Sequence, residues 1–542
     1  MNKNILLIEP AYRNKFPPLG LMKIAAYHRQ RGDRVVFAKG RDDFSASALD
    51  AAIPAHLWFA EDEAALDQVP WERVYITTLF SFEYETIART IDQALKLVHG
   101  NSQRVFVGGI AATLMHDRFM RDIRWRGVRF IKGMLDQAPA LSLQLDDFAE
   151  EYGSDDLSGT PIEALIPDYS ILDQVAYDYP VADAYFMYAS RGCVRKCAFC
   201  AVPKLEGDMK PGAPIIETIQ SIDRLYGPKR DLTLMDNNVV AAPNWREIIA
   251  EIRGAGFAKG ATVQRGRSVV SRRVDFNQGV DARFLAKDIA YLREMATIAL
   301  SPLRIAFDHV GMRKPYEKAI RMAHEVGLHD LSNYLLYNFE DTPEDLYERM
   351  RINIALNEEL GIRIFSFPMR YHPVDRPDRG HVGKHWTRYE LRSMQVMLQA
   401  SHGIVSGSPD FFRFAYGDTV QTFRKLLRLP EKMLFHRTWF QSGGGQSERM
   451  SFEHEASSLS DSDWKVLLEL LSQARPGGYA TLASLTTNSA VRRLLPYYAP
   501  LSRRDDAALS AARNMQALMH PVGVVINDAG LEANSAESLM AA

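Results

Sequence analysis

Short, uninterrupted apolar runs recur along the first 375 residues, each followed by a stretch whose apolar residues return at helical spacing. In the amino-terminal part the runs are residues 5–8, 35–37, 74–79, 104–107 and 130–131, with helical patterns over 21–31 and 85–98. A strand with one wet face alternates apolar and polar residues; a strand that is apolar throughout is covered on both faces. Apolar strands alternating with helices therefore predict α/β layers on parallel sheet, with ligands beyond the carboxyl ends of the strands. In residues 1–145 those ends carry Glu9 and Pro10, Ser81 and Phe82, and Gly108 and Gly109.

Residues 146–180 read as a linker, dense in acids from Asp146 to Asp156 and punctuated by Pro161, Pro167 and Pro180. From 181 to 375 the alternation resumes with six predicted strands: 185–188, 232–235, 274–278, 303–307, 332–337 and 362–367. Pro243 and Pro315 mark helix starts. Thr342, Pro343 and Asp345 spell another start: a capping threonine, a proline in the first turn and an acid at the capping-box position. Six strands with helices between them predict a partial β/α barrel, which places its chemistry on strand-end loops. Beyond 376 the pattern is mostly helical, for example over 389–398 and 464–471. Residues 442–447 read as a flexible loop, and the small polar segment after Asp528 is expected to fray.

The chain has only three cysteines, Cys193, Cys197 and Cys200, spaced C-x3-C-x2-C. An odd number inside eight residues is no disulfide framework. Four thiolates close a cubane cluster or a structural zinc site, so three leave one metal position for another ligand. Four readings stand at this point. A zinc site of three cysteines and one histidine needs a nearby histidine, and the next in sequence is His309. A ferredoxin-like electron carrier wants a fourth cysteine. Inert core thiols sit poorly on a glycine- and base-rich loop. An open 4Fe–4S cluster would leave one iron to bind a small cofactor.

Lys plus Arg number 65 against 67 for Asp plus Glu, a formal charge of −2, so no global basic field exists to hold nucleic acid or an anionic membrane. No apolar run approaches the roughly 18 residues needed to span a bilayer. The start, MNKNILLIEP, lacks the apolar core and cleavage site of a secretory signal. The expectation is a cytoplasmic enzyme with no membrane partner. Nucleic acid stays open through one local stretch, 252–274, which has no acidic residue and carries Arg253, Lys259, Arg265, Arg267, Arg272 and Arg273. It reads first as a solvated mobile loop, and otherwise as a lid or a contact for phosphate or nucleic acid. Residues 435–440 mix aromatic and basic side chains and are expected to pack on the barrel mouth; His372, His381 and His385 read as surface histidines, one of them available to move protons.

The cysteine spacing, with Phe199 before the third cysteine and a strand leading into the loop, resembles the radical S-adenosylmethionine superfamily over residues 181–375. The resemblance implies that Cys193, Cys197 and Cys200 hold three irons of a 4Fe–4S cluster. The fourth iron would chelate S-adenosylmethionine, and an electron donor such as flavodoxin or ferredoxin would drive its cleavage to a 5′-deoxyadenosyl radical. By the same resemblance Asp236, Asn237 and Asn238 stand where the family contacts the methionine amino group, in place of its Gly-Gly-Glu. Gln278 and Asp281 follow the third strand at the same mouth. Asp308 takes the acidic place of a Gly-x-Glu-Ser segment, and Arg313 would pair with the methionine carboxylate. The run 335–342 resembles Gly-x-Ile-x-Gly-x-x-Glu and puts Leu336 on the adenine side; Met369 follows the last strand, where backbone groups meet adenine.

Pro17 to Leu21 and Val107 to Gly109 resemble the Rossmann-like, cobalamin-binding-type domain that precedes many such barrels; the Asp-x-His-x-x-Gly signature is absent. The implied fold is α/β: a Rossmann-like parallel sheet over 1–145, a linker, a partial (β/α)6 barrel of the TIM type over 181–375, and a mostly helical region over 376–542. Bound cobalamin would imply methyl transfer to an unactivated carbon; without it, rearrangement, ring formation, oxidation or hydrogen-atom exchange are open. The alternatives are a cobalamin-independent enzyme modifying a nucleobase or nucleoside, and a non-catalytic iron–sulfur redox sensor. The substrate is not written in these motifs.

Overall fold

The computed structural model describes residues 3–40, 69–135, 161–399, 401, 403–473, 479–501 and 509. The acid-rich half of the expected linker and the tail after Asp528 lie outside the described residues. The fold is mixed α/β. Strands β1 (Asn4–Glu9), β2 (Arg34–Lys39), β3 (Arg73–Thr78), β4 (Val105–Gly109) and β5 (Arg129–Phe130) form one parallel sheet in the order β2-β1-β3-β4-β5. Successive residues of β1 point to opposite faces, and both faces are dry. Ile5 and Leu7 join a core with Leu21, Met22 and Ala25 of the helix Leu19–Gln30; Leu6 and Ile8 join another with Ile87 and Ile91 of the helix Tyr84–Leu97. This two-sided burial is why the strands carry no polar alternation.

Residues 161–180 are strapped onto this sheet. Gln174 accepts the Phe37 amide at 2.7 Å, Asp168 pairs with Arg29 at 2.9 Å, and the Tyr179 hydroxyl donates to the buried Glu9 carboxylate. Tyr169 and Ile171 are core residues.

The middle of the chain begins with β6 (Ala184–Met187), a two-residue antiparallel ribbon of β7 (Ser190–Arg191) and β8 (Lys210–Pro211), and β9 (Asp231–Leu234). It continues with the hairpin of β10 (Thr262–Arg265) and β11 (Ser268–Ser271), then β12 (Val274–Phe276), β13 (Val280–Asp281), β14 (Leu303–Ala306), β15 (Asp330–Tyr337) and β16 (Arg363–Arg370). Two parallel sheets result, β12-β9-β6 and β13-β14-β15-β16. The expected strand over 274–278 is shorter, ending at Phe276; Gly279 at φ +80° then turns the chain out of the first sheet, and β13 joins the second. The Tyr334 hydroxyl donates to the Asn277 carbonyl at 2.6 Å and holds the turn.

The helix Pro343–Leu360 starts as expected, with the Thr342 hydroxyl accepting the Asp345 amide at 3.2 Å, and ends at Gly361 in the left-handed region at φ +63°. The reciprocal half of the capping box is missing, because Asp345 turns to Arg349 and accepts the Val310 amide at 3.2 Å. The mobile-loop reading of 252–274 is corrected: the segment is the β10–β11 hairpin, closed by a two-residue turn with Gly266 at φ +56°. Three of its six bases are engaged: Arg253 with Glu294 at 3.1 Å, Arg265 with Asp183 at 2.6 Å, and Arg272 with the Gly256 and Lys229 carbonyls. Two of them therefore answer acids elsewhere in the fold.

After β16 the chain is helical through Arg388–Gln399, Pro409–Tyr416, Val420–Leu427, Gln446–Ser457 and Asp461–Gln473. The flexible loop expected over 442–447 is instead a tight corner of three glycines; a Cβ on Gly444 would stand 2.4 Å from the Trp439 ring. Residues 435–440 pack within these helices, not on the strand ends: Arg437 donates to the Phe414 and Ala415 carbonyls, and Phe440 is buried. Among the described residues no helix is long and apolar enough to cross a membrane.

Candidate functional site

The cysteines sit on an excursion that leaves the end of β6 and returns, closed at its neck by β7 and β8. Two glycines make the neck possible. Gly192 has φ +76°, and a Cβ there would stand 2.1 Å from the Asp208 carbonyl; a Cβ on Gly212 would stand 2.1 Å from that of Tyr188. Asp236, just past β9, clamps the same neck. Its buried carboxylate accepts the Ala189 amide at 2.9 Å, the Ser190 amide at 2.5 Å and the Ser190 hydroxyl at 2.6 Å. Asn237 donates to Glu206 at 3.0 Å, and Glu206 accepts the Gly192 amide at 2.7 Å. The polar residues ending β9 thus root the loop by its backbone.

The cysteine side chains are half-buried. The Arg195 amide points at the Cys193 sulfur at 3.4 Å and the Val202 amide at the Cys200 sulfur at 3.5 Å. Burial pushes up the Cys197 thiol, and Asp308 pushes it further while Arg283 pulls it back; burial raises Cys200 to about 11. Thiols held this way load metal with release of protons. Among the described residues no three His, Cys, Asp or Glu side chains converge as ligands of one ion.

Four strand ends meet around this loop. Asp281, ending β13, accepts Arg195 of the cysteine loop at 2.8 Å and both the amide (2.9 Å) and the Nε (2.8 Å) of Arg283. Burial works against its charge, yet these bonds hold the Asp281 carboxyl below its ordinary range. Asn238 is buried and accepts the Asp281 amide at 3.3 Å, joining the β9 end to the β13 end. Asp308, beyond β14, lies partly buried within the field of Cys197 and Arg283, and burial raises its pKa. Gln278 is half-buried in the break between β12 and β13 and makes no side-chain hydrogen bond among the described residues.

Leu336 and Met369, expected separately on the adenine side, are register partners on β15 and β16, both partly exposed on one face. An aromatic row runs beside them from the cysteine loop: Phe199 to Phe339 at 5.7 Å, and Phe339 to Tyr371 at 4.7 Å between ring centroids. Arg313 is a correction. It opens the helix Arg313–Glu325 on the outer surface, where Glu317 at 2.8 Å and Glu348 at 3.2 Å take its guanidinium. The arginine near Cys197 is Arg283, two residues beyond Asp281; the signal for it was only its place after the third predicted strand. His372 is also corrected from a surface residue: its ring meets Phe82 at 5.6 Å, and burial with nearby Arg370 and Arg379 brings its pKa down to about 3.

The first sheet faces this region with its own strand ends. Phe16, after β1, meets Phe186 of β6 at 6.3 Å, while Glu83, after β3, pairs with Arg379 at 3.4 Å. A cavity of about 250 Å³ lies between the Gly108–Gly109 end of β4, Tyr75 and Phe106 on the sheet, and Tyr188, Arg191 and Glu206 at the neck of the cysteine loop. His28 lines it, but its Nδ1 is 2.7 Å from Asp33 and its Nε2 3.1 Å from the Tyr75 hydroxyl. No protein-family model matches this chain, and no curated protein matches it.

Proposed function

We propose that the chain is a radical S-adenosylmethionine enzyme in which Cys193, Cys197 and Cys200 ligate a 4Fe–4S cluster and the fourth iron is left for S-adenosylmethionine. In this reading β6, β9, β12 with β13, β14, β15 and β16 are the strands of a partial (β/α)6 barrel. The first sheet is a Rossmann-like domain against its open flank, and the later helices form a third region. One observation carries the proposal: a loop rooted on parallel strand ends carries all three cysteines of the chain, and backbone amides face two of their sulfurs. Amides directed at sulfur favour the charged thiolates of a cluster and tune its potential. A mononuclear zinc site would draw its ligands to one point, whereas a cubane takes each thiolate on a different iron.

When bound and reduced, such a cluster supplies one electron to the sulfonium of S-adenosylmethionine, which yields methionine and the 5′-deoxyadenosyl radical. The chain's residues would bind and orient that molecule. Arg283, steadied by Asp281, offers the methionine carboxylate a charge-assisted partner, the role expected of Arg313. Leu336 and Met369 give adenine an apolar wall, and Phe199, Phe339 and Tyr371 keep water from the loop. Asp236 and Asn238 act as positioning residues, because their side chains already hold backbone.

Cobalamin finds no available lower ligand among the described residues of the cavity of about 250 Å³ beside the loop neck. Its histidine, His28, has both ring nitrogens engaged. No step is assigned to a corrinoid, and methyl transfer of that kind stands or falls with corrinoid uptake.

The test is anaerobic. Protein purified without oxygen and reconstituted with iron and sulfide should convert S-adenosylmethionine to 5′-deoxyadenosine when dithionite is added, and Cys197→Ala should lose cluster and cleavage together. Zinc in the site, or cleavage retained in Cys197→Ala, would overturn the proposal. A redox sensor would give an oxidant-sensitive chromophore and no 5′-deoxyadenosine. Hydroxocobalamin present during purification should leave no bound corrinoid absorbance.

A further inference from the structure

The end of β16 holds a positive charge with no counter-charge. Arg370 is half-buried, and among the described residues no carboxylate pairs with it. One of its terminal nitrogens donates to the Arg379 carbonyl at 3.3 Å and the His381 carbonyl at 3.1 Å, while its Nε is buried without a partner. Its register partner on β15 is Tyr337, fully buried, whose hydroxyl also lacks a partner. Trp386 packs on Tyr337 at 5.5 Å between ring centroids, and its indole nitrogen is the third buried group here without a partner. A guanidinium, a phenol and an indole are all hydrogen-bond donors.

The surroundings are fixed. Asn338, at φ +68°, donates to the Tyr371 carbonyl at 3.0 Å and the His381 carbonyl at 3.3 Å, and accepts the Gly383 amide at 2.7 Å. These bonds hold the 381–386 segment over the strand ends. The neighbouring carboxylate, Asp341, is already taken by Arg349 at 3.4 Å and by the Phe339 amide at 3.0 Å. Buried polar groups in folded proteins nearly always find partners, and a buried charge is costly unless it is paired. Water can satisfy a single donor but cannot neutralise a guanidinium.

We propose that the seam between β15, β16 and the 381–386 segment binds a compact oxyanion, either inorganic phosphate or the phosphate or carboxylate end of a larger molecule. This site is inferred without any of the cysteine loop's chemistry.

The full-length protein, in buffer free of phosphate and carboxylates, is titrated in separate arms with inorganic phosphate, acetate and glycerol 3-phosphate, by calorimetry and tryptophan fluorescence. One saturable site is expected in at least one arm. Arg370→Gln should weaken it about tenfold or more, as loss of a charged hydrogen-bond partner implies. Tyr337→Phe should weaken it by about threefold, and Trp386→Phe should remove the fluorescence change. Tighter binding of glycerol 3-phosphate than of phosphate assigns the site to the end of a larger molecule; the reverse order assigns it to the free ion, and preference for acetate to a carboxylate. No saturable binding in any arm of the wild type would overturn the proposal. Should Arg370→Gln fail to fold, unchanged affinity in both Tyr337→Phe and Trp386→Phe would overturn it equally.

Discussion

Replacing Arg349 by methionine should unmask one of the most concentrated charge arrangements in the chain. Arg349 is 0% exposed. Its guanidinium bonds Asp345 on its own helix, faces Asp341 at 3.4 Å, and donates to the Phe307 carbonyl at 2.9 Å. Methionine fills much the same space, so packing changes little and the loss is electrostatic. Removing one partner of a buried ion pair costs about 3–5 kcal/mol. The orphaned carbonyl adds about 1 kcal/mol, for a deficit of about 4–6 kcal/mol near neutral pH. Acid gives the argument its check. Burial lifts the Asp341 carboxyl to about 6 even with Arg349 beside it, and without Arg349 it must rise further. A carboxylate raised in the folded state stabilises the fold below its ordinary pKa, and that contribution is lost as pH climbs through the folded value. The deficit of Arg349→Met should therefore shrink by about 1.4 kcal/mol per unit for one carboxylate as pH falls from the variant's raised value to about 6, and stay level below it, where the wild type gains equally. Urea unfolding of wild type and variant, followed by circular dichroism across that range, measures it. A deficit under about 1 kcal/mol, or one that grows in acid, would show that this buried triad is not what the geometry says.

Gly192→Ala should lower the iron retained after reconstitution, because its Cβ would meet the Asp208 carbonyl at 2.1 Å; Gly207→Ala, also at positive φ but with open space around it, is the milder control. Thr342→Ala should destabilise the chain by about 1 kcal/mol in thermal or urea unfolding through loss of the helix cap. His28 is buried and neutral, with its pKa lowered by burial to about 4. Measured against a His28→Asn variant, wild-type stability should fall by about 1.4 kcal/mol per pH unit as pH drops from about 6.5 toward 4, and a stability difference that stays flat over that range would refute the assignment.

The parallel sheets were legible because strands such as β1 and β6 are apolar on both faces, a pattern that burial on two sides enforces. The change of sheet at Gly279 was not, since the two-residue β13 has no pattern of its own and only the pairing partners show that β12 and β13 belong to different sheets. Cys193, Cys197 and Cys200 announced themselves by spacing alone. Their supports did not: Asp236 and Asn238 are strand-end polar residues in the sequence, and only the fold shows their atoms holding amides. Arg313 and Arg283 were indistinguishable as letters, because which arginine lies near Cys197 depends on helix placement and not on chain order. The basic stretch over 252–274 misled for a similar reason, as the acids that answer it, Asp183 and Glu294, are remote in sequence.

The two-residue ribbon of β7 and β8 sets residues 191 and 210 side by side. Everything between them is a closed cassette that enters and leaves the scaffold at one point. Its length and contents can change without shifting the register of any neighbouring strand, so evolution or an engineer could exchange the loop's side chains while the surrounding architecture stays in place.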